Sequence, residues 1–204
     1  MTDRRGFELA EPSVQTLRDR IRSAAAAGVD WIQIREKDLE PRALFELVRV
    51  AVADTRASGT LILVNDRLDV ALAAGAGGVH LGEKSIPVNE VAEWRRVAGR
   101  TEFKIGLSCH SVEAARTAER DGANYVIFGP VFATPSKAVF GVPQGTETLR
   151  LVCGTVEIPV LGIGGVTVEN AGSCIAAGAA GVAAIRLFQE GRDLNAVVTG
   201  LRGK

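Results

Sequence analysis

The chain has 204 residues, 47% of them hydrophobic, and its 24 basic residues balance 24 acidic ones. That length supports one full core, so a single domain over residues 1–204 is expected, and the even charge excludes a basic field for nucleic acid or an anionic membrane. No apolar h-region opens the chain, and the best candidate span, Cys174 to Ile185, is glycine-broken and shorter than the ~18 residues a bilayer requires.

In chain order, strands are predicted at Val29–Arg35, Leu61–Asn65, Gly78–Leu81, Phe103–Ser108, Tyr125–Gly129, Val160–Gly164 and Val182–Ile185. Most are unbroken apolar runs, as parallel strands covered by helices require. Between the first two lies a predicted helix over Pro41–Ser58, with Leu44, Leu47, Val48 and Ala51 on one face. Ser111 and Thr167 each stand just ahead of an acidic helix start and are expected N-caps. Glycine punctuates the pattern four times. Gly28, Gly75, Gly122 and Gly178 each end a helix-like run and feed a β-prone run within three residues, where positive φ costs glycine little. The intervals of 47, 47 and 56 residues each hold about two βα units at roughly 20–30 residues per unit. Eight such units make a compact α/β fold, the (β/α)8 TIM barrel. Only Met1-Thr2-Asp3 precedes the polar Arg4, so the first strand of the eight is expected to be truncated or absent. The connection from Gly129 to Gly145, with prolines at 130, 135 and 143, is long enough to read as a lid or binding loop. Cys109, Cys153 and Cys174 have no metal or redox spacing, which fits reduced thiols in a cytoplasmic protein.

Polar residues collect where this fold places chemistry, at the C-terminal ends of the strands. Gln33 and Arg35 share one face of their strand by two-residue alternation, and Lys37 follows. Asn65 and Asp66 close the next strand, His80 the third, and Ser108 with His110 the fourth, while Thr134, Ser136 and Lys137 lie in the long loop. Gly164 and Gly165 are expected to open a helix, and with the Ile185–Arg186 backbone they form the predicted phosphate site. Plain alternatives stand beside each cluster. A tight turn needs glycine without any ligand, Arg35 and Asp66 could form a structural ion pair, and His80 reads as a satisfied structural histidine. Together on one rim the clusters point to phosphorylated small molecules. No catalytic lysine or glutamate falls on the predicted inward faces, which argues against an unrelated phosphosugar enzyme.

Four segments, Gln33–Leu39 (QIREKDL), Val64–Gly82, Ser108–Lys137 and Ile158–Gly181, resemble the thiamin phosphate synthase and thiazole tautomerase superfamily. The resemblance runs from about Gly28 to Phe188, and in such relatives the Thr2-Asp3-Arg4 segment follows a full first strand. It implies a synthase that joins a hydroxymethylpyrimidine pyrophosphate to a thiazole phosphate, with release of pyrophosphate. On this resemblance Gln33, Arg35, Lys37 and Asn65 hold the pyrimidine diphosphate, and Lys137 and Ser108 reach its pyrophosphate. Asp66 binds Mg2+, Thr134 and Ser136 contact the thiazole, and Gly165 holds the thiazole phosphate. Two positions depart from the family's pattern. Ser85 stands where synthases usually carry a second magnesium carboxylate, with Lys84 beside Glu83, so weak magnesium binding is expected. Arg186 replaces the usual serine at the phosphate end. Two further readings stay open: a thiazole tautomerase using His110 as proton carrier, and a catalytically silent phosphate-binding regulator. Small-molecule substrates are the expected partners, with homo-oligomerisation left open.

Overall fold

The computed structural model describes residues 1–6, 13–134 and 142–203. The chain divides into two compact units, Met1–His80 with Ile185–Gly203, and Leu81–Ala184. In the first unit, α1 (Val14–Ala26) starts where the Ser13 hydroxyl accepts the Thr16 N–H at 2.9 Å, and it buries Leu17, Ile21, Ala24 and Ala25. Strand β1 (Trp31–Ile34) leads to α2 (Pro41–Thr55), whose proline occupies the first turn, where no N–H is missed. Then come β2 (Leu61–Asn65), α3 (Leu68–Ala73) and β3 (Gly78–Leu81), whose last residue begins the second unit. The strands are parallel, with Gln33 beside Leu63 and Asn65 beside His80. The second unit alternates α4 (Val88–Val97), β4 (Lys104–Cys109), α5 (Val112–Arg120), β5 (Tyr125–Phe128), α6 (Gly145–Cys153), β6 (Val160–Ile163), α7 (Ala171–Ala176) and β7 (Gly181–Ala183). The chain then returns to the first unit with α8 (Arg186–Glu190) and α9 (Leu194–Arg202), and α9 and α2 both pack beside α1.

Within the second unit, strands β4 to β7 lie parallel in chain order. Ser111 caps α5 as expected, its hydroxyl accepting the Ala114 N–H at 3.1 Å. The Tyr125 ring covers Gly106 so closely that a Cβ there would lie 2.1 Å from it. Glu119 receives the N–H groups of Glu157 and Ile158 at 2.6 and 3.1 Å, which fixes the chain entering β6.

Gly28, Gly75, Gly122 and Gly178 have φ of 89°, 70°, 96° and 97°, the left-handed helix ends that the repeated glycine pattern implied. Several element ends differ from the expected ones, those of β4, β5 and β6 by one residue. Strand β1 starts at Trp31 because the Val29 N–H turns back to the Ala24 carbonyl at 3.1 Å. The helix from Pro41 stops at Thr55 and tightens into a 3₁₀ turn over Arg56–Ser58. The last strand ends at Ala183, and Ile185 already caps α8. Thr167 is not an N-cap: it and Asn170 exchange side chain-to-backbone hydrogen bonds in a turn ahead of α7. No strand precedes β1 among the described residues; instead the Thr2 N–H donates to the Gln33 carbonyl at 2.8 Å. No helix among them is long and apolar enough to cross a membrane.

His80 is structural, as expected, with 1% of its surface exposed. Burial, and secondarily the positive chain-terminal amine, lowers its pKa from 6.5 to about 4. The folded state therefore keeps the imidazole neutral while the unfolded chain protonates it. Stability is complete above pH 6.5 and falls as the pH drops toward 4, by up to about 3 kcal/mol from this residue. Urea unfolding across that range should show the decline, and His80→Gln should flatten it. An unchanged slope in the variant would assign the acid sensitivity elsewhere.

Candidate active site

Because β1 and β2 run parallel, their C-terminal ends bring Gln33 and Asn65 together, and Gln33 Nε2 donates to Asn65 Oδ1 at 3.0 Å. Gln33 is 5% exposed, yet its Oε1 has no hydrogen-bond donor among the described residues. A buried acceptor left unmet costs about 1–3 kcal/mol, a cost retained where a ligand completes the bond. Arg35 follows half-buried, held by its backbone N–H to the Thr2 hydroxyl at 2.9 Å, and Lys37 is exposed. Neither cation forms an ion pair among the described residues, and the structural Arg35–Asp66 pair weighed from the sequence is not made.

Asp66 is the one non-glycine residue with positive φ among the described residues, at 66°. Its N–H donates to the His80 carbonyl at 2.8 Å, and its own carbonyl accepts the Leu68 N–H at 3.1 Å. These bonds hold a conformation that Asp tolerates better than most residues, and they leave the residue exposed just past β2. Strain of this kind, of order 1 kcal/mol, concentrates at functional sites. Ile185 precedes α8, and Arg186 is its exposed first residue. The far end of α8 is pinned by Arg20, which donates to the Phe188 and Gln189 carbonyls at 2.6 and 3.0 Å.

In the second unit, Ser108 is half-buried in β4 and His110 is exposed just beyond it. His110 Nδ1 lies 2.5 Å from the Gly129 carbonyl. A carbonyl only accepts, so Nδ1 carries a proton, and the uncharged tautomer with this bond has its lone pair on Nε2. Gln144, which the sequence did not single out, donates to the His110 carbonyl at 3.2 Å. Thr134 is half-buried, whereas Ser136 and Lys137 lie outside the described residues. The described start of the long connection is laid along the end of β6. Val131 N–H meets the Ile163 carbonyl at 2.8 Å and Phe132 N–H meets the Gly164 carbonyl at 2.9 Å.

That strap changes the meaning of the glycines. Gly164 and Gly165 have φ of 97° and 63°, and a Cβ on them would sit 2.6 Å from Pro130 Cα and 2.4 Å from the Ala133 carbonyl oxygen. Glycine is therefore required by packing alone. The expected helix start at this pair is also displaced, since α7 begins only at Ala171, and Asn170 Nδ2 donates back to the Gly165 carbonyl at 2.9 Å. Ser85 likewise serves the local backbone, its hydroxyl accepting the Gly82 N–H at 2.7 Å and closing the turn after β3. Cys109 is inert, its thiol pushed up to about 12 by burial and then by the nearby Glu83 charge. The other cysteines are free thiols too.

Comparison with known proteins bears on this arrangement. A family model described as thiamine monophosphate synthase matches residues 9–188. The chain is 44% identical over 185 residues to the thiamine-phosphate synthase of Roseiflexus castenholzii, covering 91% of this chain and 77% of that protein. It is also 44% identical over 191 residues to the thiamine-phosphate synthase of Moorella thermoacetica, covering 90% and 89%. Among solved structures, the thiamine phosphate pyrophosphorylase from Pyrococcus furiosus matches with a TM-score of 0.83 and 33% identity, over 99% of this chain and 91% of the other. The likeness extends over nearly every element, in keeping with the (β/α)8 class read from the glycine spacing.

Proposed function

We infer that this chain, which belongs to the thiamine monophosphate synthase family, joins a hydroxymethylpyrimidine pyrophosphate to a thiazole phosphate and releases pyrophosphate. The observation that carries the residue assignment is the Gln33–Asn65 pair with its unmet buried acceptor, flanked by two cations without an ion pair among the described residues. In the reaction the thiazole nitrogen forms a bond to the pyrimidine's methylene carbon as the carbon–oxygen bond breaks, and the electron pair leaves with pyrophosphate. Gln33 and Asn65 orient the ring, with Gln33 Oε1 accepting from a donor on it. Arg35 and Lys37, with Lys137 of the long loop, stabilise charge that grows on the leaving oxygen, and Ser108 donates to the same group. Thr134 and Ser136 position the thiazole, and its phosphate is assigned to the Gly164, Gly165 and Ile185–Arg186 backbone from where such barrels usually hold phosphate, since no helix starts at the glycine pair.

Magnesium fits this site through Asp66. Its carboxylate is exposed and forms no ion pair among the described residues, and magnesium characteristically uses one or two carboxylates together with substrate phosphate oxygens and waters. Among the described residues no group of three His, Cys, Asp or Glu side chains is gathered, so Asp66 would hold the ion together with substrate oxygens and water. When bound, the ion neutralises the leaving pyrophosphate. A single domain over 1–204 and a cytoplasmic location are part of the same proposal, supported by the uninterrupted family match and by the phosphorylated substrates.

One observation favours a second reading. His110 has its Nδ1 engaged by the Gly129 carbonyl, which leaves Nε2 to face a substrate, an arrangement suited to proton transfer in the isomerisation of a thiazole carboxylate phosphate. Incubation with pyrimidine pyrophosphate, thiazole phosphate and magnesium tests the first reading directly, and thiamin phosphate is the expected product. Its absence, with conversion of the thiazole carboxylate phosphate in a parallel assay, would establish the second; failure of both would leave a phosphate-binding regulator.

A further inference from the structure

The basic pair at the end of β1 is interleaved with acids, in the order Arg35, Glu36, Lys37, Asp38. Neighbouring carboxylates of this kind normally compete with a phosphate for the cations. Here both are occupied from the other side. Just past the end of β1, Arg35 is half-buried, whereas Glu36 is buried with its side chain 2% exposed. It accepts the Thr2 hydroxyl at 2.6 Å, the Arg4 backbone N–H at 3.2 Å and the Arg4 guanidinium at 3.0 Å. Asp38 takes Arg4 at 2.6 Å and Arg5 at 2.9 Å, and the Arg4 guanidinium foremost holds its carboxyl well below the usual carboxylate range. Thr2 closes the arrangement. While its hydroxyl donates to Glu36, it accepts the Arg35 N–H at 2.9 Å, and its own N–H reaches the Gln33 carbonyl at 2.8 Å.

We propose that the Thr2–Arg5 segment is a clasp that orients the diphosphate-binding turn after β1, with Glu36 and Arg4 as positioning residues that fix Arg35 and Lys37 and keep them free of internal carboxylates. The proposal rests on the assignment of Arg35 and Lys37 to the pyrimidine diphosphate. Its reach is specific, because a clasp on one turn affects the substrate held there and not the thiazole phosphate. A buried carboxylate that merely stabilised the fold would alter neither substrate selectively.

Glu36→Gln removes the charge while keeping the shape, Arg4→Gln breaks the pair from its more exposed side, and Arg4→Lys retains the charge. Steady-state kinetics with each substrate, calorimetric titration with inorganic pyrophosphate, and thermal unfolding are compared with the unaltered chain. Glu36→Gln and Arg4→Gln should raise KM for pyrimidine pyrophosphate, and the Kd of inorganic pyrophosphate, by about tenfold. KM for thiazole phosphate should stay within about twofold, and Arg4→Lys, which keeps the charge but not the fork spanning Glu36 and Asp38, should recover only part of the loss. Should Glu36→Gln fail to fold, Arg4→Gln carries the test. If both KM values rise together, or neither moves in a chain that makes thiamin phosphate, the clasp is structural and the proposal is overturned. An unaltered chain that neither makes thiamin phosphate nor binds pyrophosphate overturns the functional reading itself, and the clasp with it.

Discussion

Replacing Arg35 by alanine is expected to lower kcat/KM for pyrimidine pyrophosphate by about two to three orders of magnitude, with little change in stability. The guanidinium follows β1 half-buried and is paired with no carboxylate among the described residues, so removing it leaves no orphaned internal charge there. Among the described residues the bond its backbone N–H makes to Thr2 is kept by alanine. Urea unfolding should therefore shift by no more than about 0.5 kcal/mol. The kinetic loss arises because the developing negative charge on the departing diphosphate is met by a preorganised, partly desolvated cation, and water does not replace that at equal value. Arg35→Lys should recover only part of the rate, since an ammonium lacks the planar fork that grips two phosphate oxygens. A loss below about threefold in kcat/KM for Arg35→Ala, in a folded protein, would remove this residue from the site.

The fold was legible because its punctuation is written in glycine. Each of Gly28, Gly75, Gly122 and Gly178 has the positive φ that its place after a helix demanded, and the apolar runs that follow are largely buried strands. That Gln33 and Asn65 stand at neighbouring strand ends was legible too, but their hydrogen bond emerges only from the pairing of β1 with β2. Other features depend on which backbone lies against which, and local pattern does not encode that. Gly164 and Gly165 read as an anion cradle at a helix start, but the strap from Pro130 to Ala133 already presses on them. Thr167 looked like a cap until Asn170 intervened. Glu36 sat in view within the QIREKDL segment. Its role emerged only with Thr2 and Arg4, more than 30 residues earlier in the chain, folded onto it. The positive φ of Asp66 is set by hydrogen bonds to His80 and Leu68, and no composition rule predicts it.

Magnesium dependence should follow Asp66 and respond to Ser85. Asp66→Asn removes the carboxylate's charge while keeping a side chain that tolerates φ of 66°, so the turn after β2 survives. We expect synthase turnover at fixed magnesium to fall about a hundredfold, with unfolding unchanged within about 0.5 kcal/mol. Ser85→Asp works in the opposite direction. The serine hydroxyl accepts the Gly82 N–H at 2.7 Å, and a carboxylate at the same position accepts that N–H equally well. The turn after β3 is therefore preserved while the acid that the sequence resemblance leads one to expect there is introduced. A second carboxylate holds magnesium more firmly than one, so the half-saturating magnesium concentration should drop about tenfold and turnover at low magnesium should rise. Activity is read as thiamin phosphate formed across a magnesium series for each variant. Identical curves for Ser85→Asp and the unaltered chain would mean that Asp66 and the substrate suffice. Full activity in Asp66→Asn would remove Asp66 as the ligand altogether.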